Sequence, residues 1–469
     1  MQITLASSRA EDSLLVRLFG QDNIPGGHRV FSGKPGEVWW PDENELWLGT
    51  GTSTDAPSIR KIVRKLFHQR KYDWPQKVSV DVSGFDHAGI EAIINGIMLG
   101  GYDIRLYKSE RQPVSSFFGP DGHLTLVAGA ASGIAELIGR SQKTSEVQLR
   151  VMDLMNAPAN KKNAVMLAKW ALESGDAYGY QVKVFDQTEL AHFGFSALLA
   201  VNQGSPEDAA MIIAEYTPAS YRKTVALVGK GVTFDTGGIS IKGSSNMHLM
   251  KSDMGGAAAV LGTIELAARL QLPVRLVGVV PATENCVDGA ALKPGDVIGS
   301  YSGKTIEVID TDAEGRLILA DGLSYAVRKY SPDILIDLAT LTGSVIQTLG
   351  YHAAGLFSQN DGLAKDLEEA GKAAGERLWR LPLWNEYKEE IDSDIADVRN
   401  FHGKPMAGAI VAAKFLEVFT DAHPAWAHLD IAGTAFGDTD FVAGRAGTAF
   451  GVRLLRQFLE NLEQQPDNI

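Results

Sequence analysis

Asp310-Thr311-Asp312-Ala313-Glu314-Gly315-Arg316 carries three carboxylates and an arginine in one short run. The apolar stretch Thr305 to Ile309 precedes it, and Leu317-Ile318-Leu319-Ala320 follows. On a surface these acids would be an ordinary charged turn. Between apolar segments they need countercharge, because an unpaired buried carboxylate is very costly. Metal ions are the usual answer. In an extended loop, Asp312 and Glu314 point to the same side. They could then share two ions, and Arg316 could hold an anion in a bidentate fashion.

Two further segments supply donors of the same kind. Gly229 to Lys242 holds Lys230, Asp235 and Lys242 among four glycines, which allow close approach of a ligand. The phosphate-loop spacing G-x-x-x-x-G-K-[ST] is absent, since Lys230 precedes Gly231 and Lys242 precedes Gly243. A solvated lysine in a turn would account for either lysine alone. Met250 to Ala259 places Asp253 ahead of small residues, where a helix N-cap is the competing role. Together Asp235, Asp253, Asp312 and Glu314 offer oxygens and Lys230 one amine nitrogen. Such a set suits Mg²⁺, Mn²⁺ and Zn²⁺. A lysine ligand must be neutral, which adjacent dications favour. Two ions sharing carboxylates sit ~3.5–4 Å apart and activate a bridging water. Lys242, if not a ligand, is a cation placed to stabilise an oxyanion.

The elements that must position these residues show a regular pattern. Short buried strands lead into polar or Gly-rich loops: Thr224–Val228 into Gly229-Lys230-Gly231, and Val274–Val280 into Pro281–Asn285. The same holds for Thr305–Ile309 into Asp310, Ile334–Leu338 into Ala339–Gly343, and Ala427–Ile431 into Ala432-Gly433-Thr434. Ligands gather outside the carboxyl ends of strands in open α/β sheets. The N-terminal part is also α/β. Glu45–Gly49, Val78–Val82 and Asp103–Tyr107 alternate as strands, and Ile90 to Met98 is a helix closed by Gly100-Gly101. It carries no chemistry-bearing motif. A connecting helix is expected from about Ala130 to Met155, stopped at Pro158. The expected fold is α/β: a smaller N-terminal α/β domain over residues 1–140, a connecting helix and linker at 141–160, and a larger catalytic domain at 161–469 with a mixed, mostly parallel sheet.

Bulk properties narrow the partners. Lys and Arg total 44 against 57 Asp and Glu, a formal net charge of −13. That surface repels a phosphate backbone, so nucleic acid is not an expected partner. The basic run Arg60, Lys61, Arg64, Lys65, Arg70 and Lys71 is expected to be one solvated helix face. The single cysteine, Cys286, excludes an intrachain disulfide and fits a reducing compartment. It is expected to be a buried thiol rather than a nucleophile. Met1-Gln2-Ile3-Thr4-Leu5 lacks the signature of a signal peptide. No apolar run approaches the ~18 residues of a membrane span, so no membrane partner is expected and the cytoplasm is the default location.

At this point the chain resembles the leucyl aminopeptidase family of dinuclear metallopeptidases. The signature stands as Asp310 to Arg316, and the blocks Gly229–Lys242, Lys251–Ala258 and Ala339–Gly343 match as well. So do Trp379–Trp384 and His428–Thr434, and the likeness runs from about Val147 to the C-terminus. The resemblance implies an exopeptidase removing N-terminal amino acids, bulky apolar ones such as leucine above all. It implies that Lys230, Asp235, Asp253 and Glu314 hold the tighter of two divalent metals, Mn²⁺ or Zn²⁺ with Mg²⁺ as a further option. Asp235, Asp312 with its backbone carbonyl, and Glu314 would hold the more exchangeable one. Lys242 would polarise the scissile carbonyl, and Arg316 would hold a bicarbonate ion acting as general base. Met250, Thr340, Gly343 and Ala432 would line the pocket for the first side chain, and the assembly would be a homo-hexamer. Asp310 stands where the family has asparagine, and His248 lies in a block that varies. A different class, a DNA-binding or regulatory scaffold of the same fold, is the alternative; a gel shift discriminates the two.

Overall fold

Strands Thr224–Gly229, Ile334–Ala339 and Trp426–Asp430 are buried along their whole length. Near-continuous apolar runs of this kind mark parallel strands covered on both faces. The computed structural model describes residues 1–464 except 25–29, 54, 130–132, 439–441 and 443. The chain divides into two compact units, one Met1–Leu149 and the other built from nearly all of the chain from Arg150 on.

The first unit is a six-stranded sheet in the order Gln2–Ala6, His123–Val127, Lys77–Asp81, Leu14–Gly20, Glu45–Gly51, Val38–Asp42. Every pairing is parallel except that of the edge strand Val38–Asp42. Helix His87–Gly100 starts at the N-cap Asp86, whose Oδ1 accepts from Gly89 N at 2.8 Å, and it ends at Gly101 as expected. Asp103–Tyr107 is not a strand. Asp103 instead accepts from the guanidinium of Arg105 at 2.8 and 2.9 Å, and this local clamp turns the chain. The basic run is also not uniformly solvated. On helix Ala56–Gln69, Lys61 and Lys65 are exposed while Arg60 and Arg64 are half-buried. Lys71 is buried, and its Nζ donates to Tyr102 O at 3.2 Å.

The connecting helix is Ile134–Asn156; its expected start at Ala130 lies outside the described residues.

The second unit holds a nine-stranded mixed sheet. Its order is Leu378–Arg380, Ala354–Phe357, Trp426–Asp430, Ile334–Ala339, Thr224–Gly229, Arg275–Asn285, Ala210–Tyr216, Gln181–Phe185, with Gly231–Asp235 pairing Arg275–Asn285 off this path. The four central strands run parallel. Two strands differ from expectation. Pro281–Asn285 is not a loop but the far half of an eleven-residue strand, because Gly231–Asp235 pairs with it. Thr305–Ile309 contributes only Ile306–Glu307, in a separate three-stranded sheet with Val297–Ile298 and Val398–Arg399.

Helix Gly255–Leu270 packs directly on the sheet. A Cβ on Gly256 would lie 1.9 Å from Leu338 O, so only glycine permits this approach. Ala257 N donates to Lys230 O, and Lys230 N to Leu338 O. The start of the helix is thereby tied to the residue that follows strand Thr224–Gly229. Among the described residues no helix is long and apolar enough to cross a membrane.

Candidate metal centre

Lys230 follows strand Thr224–Gly229, and Asp235 ends strand Gly231–Asp235. Thr340 follows strand Ile334–Ala339, and Ala432 stands two residues beyond Trp426–Asp430. Carboxyl ends of neighbouring strands therefore supply much of the site, as the topology of open α/β sheets requires. The acidic run supplies the rest, but not as an extended loop. Asp312 sits in a turn, and Glu314 opens helix Glu314–Tyr330 with Arg316 in its first turn. A turn running into a helix brings the two acids together.

Lys230 Nζ lies 2.7 Å from Asp253 Oδ2 and 2.9 Å from Glu314 Oε1, and donates to Thr340 O at 3.0 Å. Lys242 Nζ lies 2.7 Å from Asp235 Oδ2 and also contacts Asp312 Oδ1. Oxygens of Asp235, Asp312 and Glu314 fall within 4.8 Å of one another, a spacing that could hold a metal ion. Asp253 is not the N-cap of the helix that follows it. Helix Gly255–Leu270 has Met254 at its N-cap, while Asp253 Oδ1 accepts from Thr340 Oγ1 at 2.7 Å.

The electrostatics point to missing positive charge. Four carboxylates face two ammonium groups. Burial, reinforced by the neighbouring acids, raises the pKa of Asp235 and pushes Asp253 well above the usual carboxylate range. The same causes bring Asp312 up to about 7. Burial also works on Glu314, but Lys230 and Lys242 outweigh it and hold Glu314 low. Burial opposes the charge of both lysines, yet the surrounding carboxylates win and hold their pKa values above normal. Asp253 Oδ2 and Glu314 Oε1 are buried, and Lys230 is the cation that faces both of them. Buried hard oxygens that outnumber their cations are the donor set that a divalent cation satisfies.

Arg316 is buried, its Nη1 donates to Asn400 O at 2.8 Å, and its Nε has no hydrogen-bond partner among the described residues. Burial lowers its pKa to about 10. Asp310 serves its own turn: its Oδ1 accepts from Asp312 N at 2.8 Å, a bond that an asparagine oxygen would make equally. Met250 is half-buried in the 3₁₀ turn Met247–Ser252, which also contains His248. Gly343 opens helix Gly343–Leu349. Cys286 is half-buried, with burial and then Glu284 raising its pKa to about 11. A groove of about 1200 Å³ lined by Arg380, Pro382 and Trp384 contains none of the cluster residues.

Three residues outside the motif reading support the site. Asn285 Nδ2 donates to Asp235 Oδ1 at 2.8 Å and to Thr311 O at 3.0 Å. Asp430 accepts from Leu341 N, Thr342 Oγ1 and Ala432 N, joining the two loops that carry Thr340, Gly343 and Ala432. Asn400 brackets the acidic turn. Asn285 and Asp430 were visible as polar residues at strand ends; Asn400 had no such signal.

This fold and site define a class: an α/β protein with a buried acid-rich cluster at its strand ends that could hold a divalent metal. The family model "Cytosol aminopeptidase family, catalytic domain" matches residues 150–456. A probable cytosol aminopeptidase of Chlorobium phaeobacteroides is 45% identical over 437 residues, covering 88% of this chain and 85% of that one. One from Chlorobaculum tepidum is 48% identical over 375 residues, covering 78% and 74%. The solved structure "Bottromycin maturation enzyme BotP in complex with Mn" is 32% identical, with a TM-score of 0.87 over 96% of this chain and 99% of that one. The chain belongs to the cytosol aminopeptidase family. It is a metal-dependent aminopeptidase, a hydrolase acting on peptides, and the resemblance carried by its motifs is borne out.

Proposed function

We propose that this enzyme releases N-terminal residues, bulky apolar ones such as leucine above all, from peptides at a centre of two divalent ions. The carrying observation is the buried cluster in which four carboxylates share two ammonium groups and three of the acids are spaced to hold a metal ion. Asp235, Asp253, Glu314 and Lys230, the last as the neutral amine that bound dications favour, hold one ion. Asp235, Asp312 and Glu314 hold the other, with help from the Asp312 carbonyl. Mn²⁺ or Zn²⁺ is the expected occupant, Mg²⁺ a further option, and the BotP structure's Mn supports the first. When bound, the pair supplies Lewis acidity and a bridging water that is nucleophilic at neutral pH.

The chain's own groups do the rest. Lys242 keeps its ammonium charged through its carboxylate neighbours and presents it to the scissile carbonyl oxygen, where negative charge develops. Arg316 is buried and its Nε has no hydrogen-bond partner among the described residues; its guanidinium would hold a bicarbonate ion, which would supply a general base. Met250, Thr340, Gly343 and Ala432 receive the first side chain. Asp430 fixes the last three through its hydrogen bonds to their loops. A homo-hexamer working in the cytoplasm completes the reading. Asp312→Ala and Glu314→Ala should abolish hydrolysis of a leucine anilide, and metal analysis should return two ions per wild-type chain. Near-normal turnover by either variant would sink the assignment.

A further inference from the structure

Asn400 is fully buried, and every polar group it owns is used. Its Oδ1 accepts from Ile309 N at 2.8 Å and Asp310 N at 3.3 Å. Its Nδ2 donates to Asp310 O at 2.7 Å and Ala313 O at 3.3 Å. Its backbone N donates to Glu307 O at 3.0 Å, and its backbone O accepts from Arg316 Nη1. An ordinary buried asparagine satisfies whatever backbone lies nearby. Here the partners fall on both sides of Asp312. Ala313, moreover, is the N-cap of the Glu314 helix and supplies no side-chain cap of its own.

We propose that Asn400 is a positioning residue for hydrolysis: its amide clamps the turn that presents Asp312 and Glu314, while its carbonyl aims the Arg316 guanidinium. The inference rests on the roles given above to Asp312, Glu314 and Arg316. An amide suits this because the clamp makes two donations and two acceptances from separate atoms of one short side chain, whereas a hydroxyl has a single proton to give. Aspartate keeps the acceptor, loses both donations and turns a negative oxygen toward Asp310 O and Ala313 O.

The test is Asn400→Asp and Asn400→Ser, with Asp312→Ala as control. Partners that orient metal-binding groups typically cost ~10–100-fold in affinity or activity when replaced. Both variants should stay folded by thermal melting, lose about that much kcat on a leucine anilide, and keep KM within about threefold. Calorimetric titration of the metal-stripped protein with Mn²⁺ should show about tenfold weaker binding. Wild-type kcat and Mn²⁺ affinity in a folded variant would overturn the proposal. So would failure of both variants to fold, which would assign Asn400 to the fold alone. If Asp312→Ala is itself fully active, the underlying site assignment has failed instead.

Discussion

Gly315 is the most telling position to perturb, because it touches the site without carrying any chemistry. A Cβ there would lie 2.4 Å from Lys230 Cε, 2.6 Å from Nζ and 2.7 Å from Cδ. Unbonded carbons prefer ~3.5–4.0 Å, so Gly315→Ala demands a shift of about 1 Å. Lys230 cannot swing outward, since its side chain is only 3% exposed and its Nζ is held among Asp253, Glu314 and Thr340. The displacement therefore falls on the cluster itself. A misplacement of about 1 Å at a reacting site costs on the order of 10²-fold in rate, or about 2.7 kcal/mol of barrier. Stability moves less. Overpacking costs about 1–3 kcal/mol, while replacing glycine by alanine within a helix returns about 1 kcal/mol. The expected result is kcat/KM on a leucine anilide down about 100-fold, with a melting temperature lowered by only a few degrees. A variant within threefold of wild-type kcat/KM at saturating Mn²⁺ would refute the close-packed role given to Lys230.

Lys162 should govern stability in the alkaline range. Its amine is buried against the carbonyls of Met155 and Lys251, and burial, then the charge of Lys251, lowers its pKa to about 7. The unfolded value is about 10.4, so between those limits the folded chain binds fewer protons and stability rises with pH, by at most about 1.4 kcal/mol per unit. Lys162→Met should flatten that rise in urea-unfolding series from pH 7 to pH 10; an unchanged slope would be the contrary result. Phe195→Ala removes a fully buried ring stacked on Tyr301 at 4.9 Å, and should cost about 3–5 kcal/mol. Denaturant midpoints measure that loss, and kcat/KM of the folded variant should stay at the wild-type level.

Lys230, Asp235, Asp253, Asp312 and Glu314 were legible because strand ends collect ligands and because acids between apolar runs demand a counter-ion. What patterning could not convey is how those residues are held. Local pattern took Asp312 and Glu314 for an extended pair, yet the apolar residues after Glu314 follow a helix, Glu314–Tyr330. It took Asp103–Tyr107 for a strand, where one Asp–Arg clamp outweighs the alternation. It left Asn400 unremarked, since that side chain meets its partners 90 residues earlier in the chain. The two kinds of residue differ in their chemistry. Groups that carry charge into a low-dielectric site are rare enough in a sequence to announce themselves. The groups that aim them are neutral amides and backbone carbonyls, common everywhere, and they acquire meaning only when the fold brings them together. Lys230 and Asn400 show the division. Replacing either should lower activity, Asn400 by about 10–100-fold, but only the lysine is unusual enough in its setting to be picked out before the chain is folded.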